Sequence, residues 1–253
     1  MKNKLSLIVF AMVLWGWVSC GEASQASGEK KAQEKESMIM KDNALTEDQV
    51  KQGWRLLFDG ETTKGWHTFN EDMVSPKWSV VDGILVFNPE IEAKGGDLVT
   101  DEEFENFHLK LDWKVSECGN SGIIFNIQEE GQRRTYHTGP EMQILDDSCH
   151  PDAEYPTHRA GSLYDLIQAQ PETVKPAGEW NTAEIILDQG HLIFKLNGVQ
   201  VVETHMFNEE WDEMLANSKF KQWPGFGTYR KGRIGLQDHG DLVEFKNIMI
   251  KEL

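Results

Sequence analysis

The chain has 253 residues, a formal net charge of −17 and 26% charged residues. So acidic a surface repels phosphate backbones, which argues against nucleic-acid binding and leaves neutral ligands such as sugars open. No Walker loop, GxGxxG, GxSxG or HExxH pattern occurs, so nucleotide-binding, serine-hydrolase and zinc-protease readings find no support.

At the start, Lys2 and Lys4 precede an apolar run from Leu5 to Val18, and small Ser19 precedes Cys20. That is the order of parts in a secretory signal, and the run is too short to span a bilayer. Residues 1–19 are therefore expected to be a removable signal. The junction Val18-Ser19-Cys20-Gly21 resembles a bacterial lipobox, with Trp17 in place of the usual leucine-like residue, so Cys20 is expected to carry a lipid. Residues 20–43, rich in Glu, Lys, Ser, Gln and Ala and lacking aromatics, read as a flexible tether. The expected location is the cell envelope, lipid-anchored at a periplasmic or outer-membrane surface.

Residues 44–253 suffice for one large domain with a full core. Thr46-Glu47-Asp48-Gln49 has capping-box form and predicts a short opening helix. Asp82-Gly83 between Trp78 to Val81 and Ile84 to Phe87 predicts a hairpin, as does Asn197-Gly198 between His191 to Leu196 and Val199 to Thr204. Phe107, Leu109, Leu111, Trp113 and Val115 alternate with His108, Lys110, Asp112 and Lys114, so that strand has one buried and one wet face. Further strands are predicted over 122–128, 141–145, 180–187, 233–237 and 243–251, and a helix over 209–217. Many antiparallel strands with few helices point to an all-β, jelly-roll-like sandwich. Its curved sheet would offer a groove lined by every second residue.

Within the strand 141–145, Glu141 and Gln143 share a face opposite Met142 and Ile144. A bulge near Leu145 would bring Asp146 to the same side and place two carboxylates and an amide in one cleft, as sugar cleavage often needs; an ordinary solvated face is the alternative. The loops that follow hold His150, a candidate acid or base or an exposed histidine, and Tyr164, a packed ring or a sugar contact. Gln237, Asp238 and His239 sit at a strand end, facing a ligand or serving a turn. Asn120-Ser121-Gly122 reads as a turn from which Asn120 can reach a sugar hydroxyl. Cys118 and Cys149 form an even pair in an export context, so a disulfide is an option, and metal binding by Cys149 and His150 is a weaker one.

Six segments in order carry a resemblance: Gly53-Trp54-Arg55-Leu56-Leu57-Phe58-Asp59-Gly60, Asn120-Ser121-Gly122-Ile123, Glu141-Met142-Gln143-Ile144-Leu145-Asp146, Ala160-Gly161-Ser162-Leu163-Tyr164-Asp165, Lys175-Pro176-Ala177-Gly178-Glu179-Trp180-Asn181 and Ile234-Gly235-Leu236-Gln237-Asp238-His239-Gly240. Together they resemble the 3-keto-disaccharide hydrolase domain family. The resemblance implies a concanavalin A-like jelly roll with a few short helices. It also implies action on glycosides oxidised to a ketone at sugar carbon 3, by 1,2-elimination or by hydration of the resulting 2-hydroxy-glucal. Such a substrate implies an upstream sugar oxidoreductase as pathway partner. The chemistry asks for a base at C2, an acid for the leaving oxygen and donors for the enolate, with a divalent metal ion as one way to supply them. Glu141 or His150 is the candidate base, Asp146 or His239 the candidate acid or metal ligand. Asn120, Gln143 and Gln237 are the candidate hydroxyl-orienting groups, with Tyr164 and Asp238 as further substrate contacts. A two-carboxylate glycoside hydrolase and a non-catalytic sugar-binding module are the competing readings.

Overall fold

A computed structural model describes residues 41–253. The expected signal, Cys20 and the tether up to residue 40 lie outside the described residues.

The architecture is the expected all-β sandwich of two antiparallel sheets. Strands β1 (Arg55–Leu56), β3 (Trp78–Val81), β4 (Ile84–Phe87), β6 (Phe107–Val115), β9 (Asn181–Asp188), β10 (His191–Leu196), β11 (Val199–His205) and β13 (Val243–Glu252) form the larger sheet. Its order is β11-β10-β9-β6-β13-β4-β3, with β1 paired to β13. Strands β2 (Trp66–Thr68), β5 (Leu98–Thr100), β12 (Arg233–Leu236), β7 (Asn120–Ile127) and β8 (Glu141–Leu145) form the smaller one, in the order β2-β5-β12-β7-β8. The three-residue strands β2 and β5 escape sequence reading because they are too short to show a period.

Apolar alternation sets the core. The five apolar residues of β6 are all buried, and the residues between them are half-buried. Those half-buried groups pair across the outer face of the larger sheet, His108 with Glu184 at 2.7 Å and Lys114 with Glu244 at 2.6 Å. Facing β6, Ile123 and Phe125 of β7, Ile234 and Leu236 of β12 and Met142 and Ile144 of β8 complete the same buried cluster. Both hairpins form where predicted. Their turn residues Asp82, Gly83, Asn197 and Gly198 all have positive φ, the conformation their short or absent side chains tolerate.

Helix α1 (Glu47–Lys51) has the predicted capping box, with reciprocal bonds between Thr46 and Gln49. Helix α2 (Glu209–Ala216) is capped by the Asn208 side chain. Two expectations change. Asp42 and Asn43, expected at the end of a tether, are docked on the domain. Asn43 exchanges bonds with Asn247 at 2.7 and 2.8 Å and donates to the Gly83 carbonyl at 2.7 Å, while Asp42 pairs with Lys246 at 2.8 Å. These polar side chains dock at a register shift between Lys246 and Met249 in β13, where backbone groups freed by the irregularity need partners. Asn120 and Ser121 are not a turn but open β7. The turn lies earlier, closed by Gly119 N–H donating to the Ser116 carbonyl at 3.0 Å with Cys118 at positive φ.

Candidate active site

The outer face of the smaller sheet carries the polar residues. Strands β7 and β8 pair with Ile124 opposite Glu141, Gly122 opposite Gln143 and Asn120 opposite Leu145, without a shift. Every second residue therefore shares a face, and Glu141, Gln143 and Asn120 converge. β12 brings Gln237 alongside, its N–H bonded to the Gly122 carbonyl at 2.9 Å. Gln143 Nε2 donates to Asn120 Oδ1 at 3.1 Å. All five residues of β8 are buried, so the alternative of a solvated face does not hold.

Gly122 makes the space for Glu141. A Cβ at residue 122 would lie 1.9 Å from Glu141 Oε1, so the carboxylate rests directly over this strand backbone. Glu141 Oε1 is buried without a hydrogen-bond partner. Burial is the main cause that lifts its pKa to about 8, the negative charge of Asp97 adds to it, and Lys219 and the Gln237 side chain oppose it. Such a carboxyl holds its proton near neutral pH and is a strong base once it loses it.

These groups floor a cavity of about 180 Å³. Its walls are aromatic, with Tyr136 on one side, Tyr164 on another, and Phe220, Trp223 and Phe226 from the segment after α2. Lys219 enters the same cavity, its Nζ 4.1 Å from the centroid of the Tyr164 ring and 3.8 Å from Asp165. Asp165 in turn holds His158 Nε2 at 2.7 Å. Burial, followed by the negative charge of Glu141, raises the Tyr164 pKa, so its hydroxyl stays a donor. Tyr164 is thus both half-packed and exposed to the cavity. Sequence reading alone does not single out Lys219, Phe220, Trp223 or Phe226. Their only signal there is a dense run of aromatic and basic residues from Lys219 to Phe226 without periodicity, in a loop position where function concentrates.

His239 stands exposed at the cavity rim, and the His150 ring lies 6.3 Å from it between centroids. His150 itself caps a short 3₁₀ segment, its Nδ1 accepting from the Asp152 N–H at 3.1 Å, and is not among the residues lining the cavity. Asp146 is not brought to the site. No bulge forms at Leu145, and the Asp146 carboxylate turns back to accept from Cys118 N–H at 2.9 Å and from Ser148 Oγ at 2.7 Å. Burial works against its ionisation, but the Ser148 and Cys118 donors outweigh it and hold its pKa below the usual value. Asp238 likewise serves the fold, accepting from Gly96 N–H at 2.7 Å and Gly240 N–H at 3.0 Å; it borders the adjoining chamber rather than the inner one.

Cys118 and Cys149 are joined in a disulfide. Among the described residues, one group of three metal-capable side chains lies close together, Cys118, Asp146 and Cys149. Its sulfurs are spent in the disulfide, so neither it nor a Cys149–His150 pair is a metal centre.

Asp97, the carboxylate whose charge acts on Glu141, sits in the adjoining chamber. Its oxygens accept from the Thr135 hydroxyl and from Asp238 N–H at 2.9 Å. The inner cavity thus holds one carboxyl, with its Oε1 unpartnered, three amides, one ammonium, the His239 imidazole and an aromatic wall.

A family model described as the 3-keto-alpha-glucoside-1,2-lyase-like domain matches residues 53–251. A protein of Bacteroides thetaiotaomicron named 3-keto-disaccharide hydrolase is 39% identical over 228 residues, covering 79% of each chain. A Parabacteroides distasonis structure described as a candidate glycosyl hydrolase superposes with a TM-score of 0.77 at 33% identity, over 84% of this chain and 100% of that one. A second structure from the same organism, with the same description, gives 0.60 at 29% identity, over 79% and 99%. With the sandwich, the six ordered motifs and these matches in agreement, the chain belongs to the 3-keto-alpha-glucoside-1,2-lyase-like domain family.

Proposed function

We propose that this protein is a carbohydrate-active enzyme that acts on 3-keto glycosides, with Glu141 as the base that removes the proton from C2. The observation that carries this reading is the single buried carboxyl of the inner cavity, seated over Gly122, with its Oε1 unpartnered. The name and similarity of the Bacteroides relative support the substrate class.

A ketone at C3 makes the C2 hydrogen acidic. Glu141 takes that proton, the C2–H electrons form the C1=C2 bond, and the C1–O bond breaks to release the aglycone. The leaving oxygen gains a proton, and His239, which lines the cavity, is the acid assigned to supply it in this reading. In the transition state, charge grows on the C3 oxygen, where Lys219 and the amides of Gln143 and Gln237 are the available donors. Addition of water across C1=C2 by the same groups in reverse gives the hydratase outcome. The aromatic walls suit the apolar C–H faces of a sugar ring.

A double-displacement glycosidase needs a second free carboxylate ~5 Å from the first. Asp97 is the nearest in charge effect, and its oxygens are already engaged. Glu141→Gln is therefore expected to lower kcat on a 3-keto-glucoside by roughly 10²–10⁴-fold. Because the base works only when ionised, kcat/KM should rise with pH toward about 8, and the rise should vanish in the variant. Full activity of Glu141→Gln, or equal turnover of the unoxidised glycoside by the wild type, would overturn the proposal.

A further inference from the structure

A second, larger chamber of about 510 Å³ opens beside the inner cavity and shares Tyr136, Gln237 and His239 with it. A glycoside whose keto ring fills the inner cavity has room for its C1 substituent past these shared residues, in the larger chamber. This step rests on the function proposed above.

The chamber's polar groups are unequally occupied. Glu71 is paired with Lys94, Asp97 accepts from Thr135 and Asp238, and Asp238 accepts from Gly96 and Gly240. Arg133 and Arg134 also line it, both exposed. Neither guanidinium forms an ion pair or a hydrogen bond among the described residues, although Arg134 is near enough to Asp97 to favour its ionisation. Two adjacent unpaired arginines stand out on a chain of net charge −17. Their forks match a planar carboxylate or another oxyanion. Each carboxylate of the chamber already has a donor within the protein, whereas the two guanidiniums have no acceptor among the described residues.

We propose that the larger chamber is a leaving-group subsite for an acidic aglycone, such as a uronic acid, and that Arg133 and Arg134 select it. A neutral sugar would occupy the same space with hydroxyl contacts only, without the charge-assisted pairing.

The test compares two 3-keto-glucosides that differ only in the leaving group, glucuronic acid or glucose, by kcat/KM with the wild type and with Arg133→Gln/Arg134→Gln. The wild type is expected to prefer the acidic substrate by roughly tenfold, as one charge-assisted contact at an exposed site allows. That ratio should fall to near one in the double variant and shrink with added salt. Equal kcat/KM for the two substrates in the wild type, or an unchanged ratio in the variant, overturns the subsite. Full activity of Glu141→Gln with the charge preference intact overturns the base instead and leaves the subsite standing. Should neither compound turn over, calorimetric titration with glucuronate and with glucose gives the answer directly. Glucuronate binding that the double variant loses supports the subsite; equal or no binding of both sugars overturns it.

Discussion

Gly122 and Glu141 form one device although they lie on different strands. A methyl group at residue 122 would collide with the carboxylate at 1.9 Å, so Gly122→Ala must push Glu141 out of place. Displacing a reacting group by about an ångström is enough to cost ~10²-fold in rate. Gly122→Ala should therefore lose kcat on a 3-keto-glucoside while circular dichroism shows the sheet intact. The same carboxyl also has a consequence for stability. Its folded pKa of about 8 exceeds the ordinary 4.5, so between those values the folded state keeps a proton that the unfolded state has released. Stability attributable to Glu141 therefore falls as pH rises from about 4.5 to about 8. Glu141→Gln removes that loss. Urea denaturation should show the variant more stable than wild type at pH 8, by about 4 kcal/mol, and the gap closing toward pH 4.5.

At the level of elements, the site depends on β7 and β8 staying in register and on the loops that roof them. Cys118 precedes β7 and Cys149 follows β8, so their disulfide ties the start of one strand to the loop leaving its neighbour. It encloses a separation of 31 residues. Asp146 reinforces the same junction through Cys118 N–H. Replacing both cysteines by serine should lower unfolding free energy by about 2–4 kcal/mol, measured as a reduced urea midpoint. The helices contribute differently. The segment after α2 delivers Lys219, Phe220 and Trp223 to the cavity, and nothing in their spacing announces that destination.

For the whole molecule, a sandwich with one roofed sheet accounts for the division of labour. The outer face of the larger sheet is laced with cross-strand pairs such as Lys114–Glu244, and the outer face of the smaller one is given over to the cavity. We propose that this domain works at the cell envelope, held by a lipid on Cys20. The sequence Val18-Ser19-Cys20-Gly21 after the apolar run motivates this. Cys20→Ser is expected to shift the protein from the membrane fraction to the soluble one, and mass spectrometry of the wild-type N-terminus should show an acylated cysteine. An unmodified N-terminus would discard the anchor.

Local pattern alone determined the strands long enough to alternate, both hairpin turns, the capped helix α1 and the outward pairing of Glu141 with Gln143. These features follow from periodicity and turn chemistry, which act over a few residues. Glu141, Asn120 and Gln143 meet at the cavity because strand register carries a local facing preference across a sheet, and Gln237, Tyr164 and His239 join them from the end of β12 and from loops. Only the tertiary structure decided that Asp146 turns away to bond Cys118 and Ser148, that Asp238 staples Gly96, and that the cysteines join. It alone brought in Lys219, the rings of Tyr136, Phe220, Trp223 and Phe226, and the arginine pair. Their placement depends on loops crossing over the smaller sheet, and a loop's path is set by what it packs against rather than by its own sequence period.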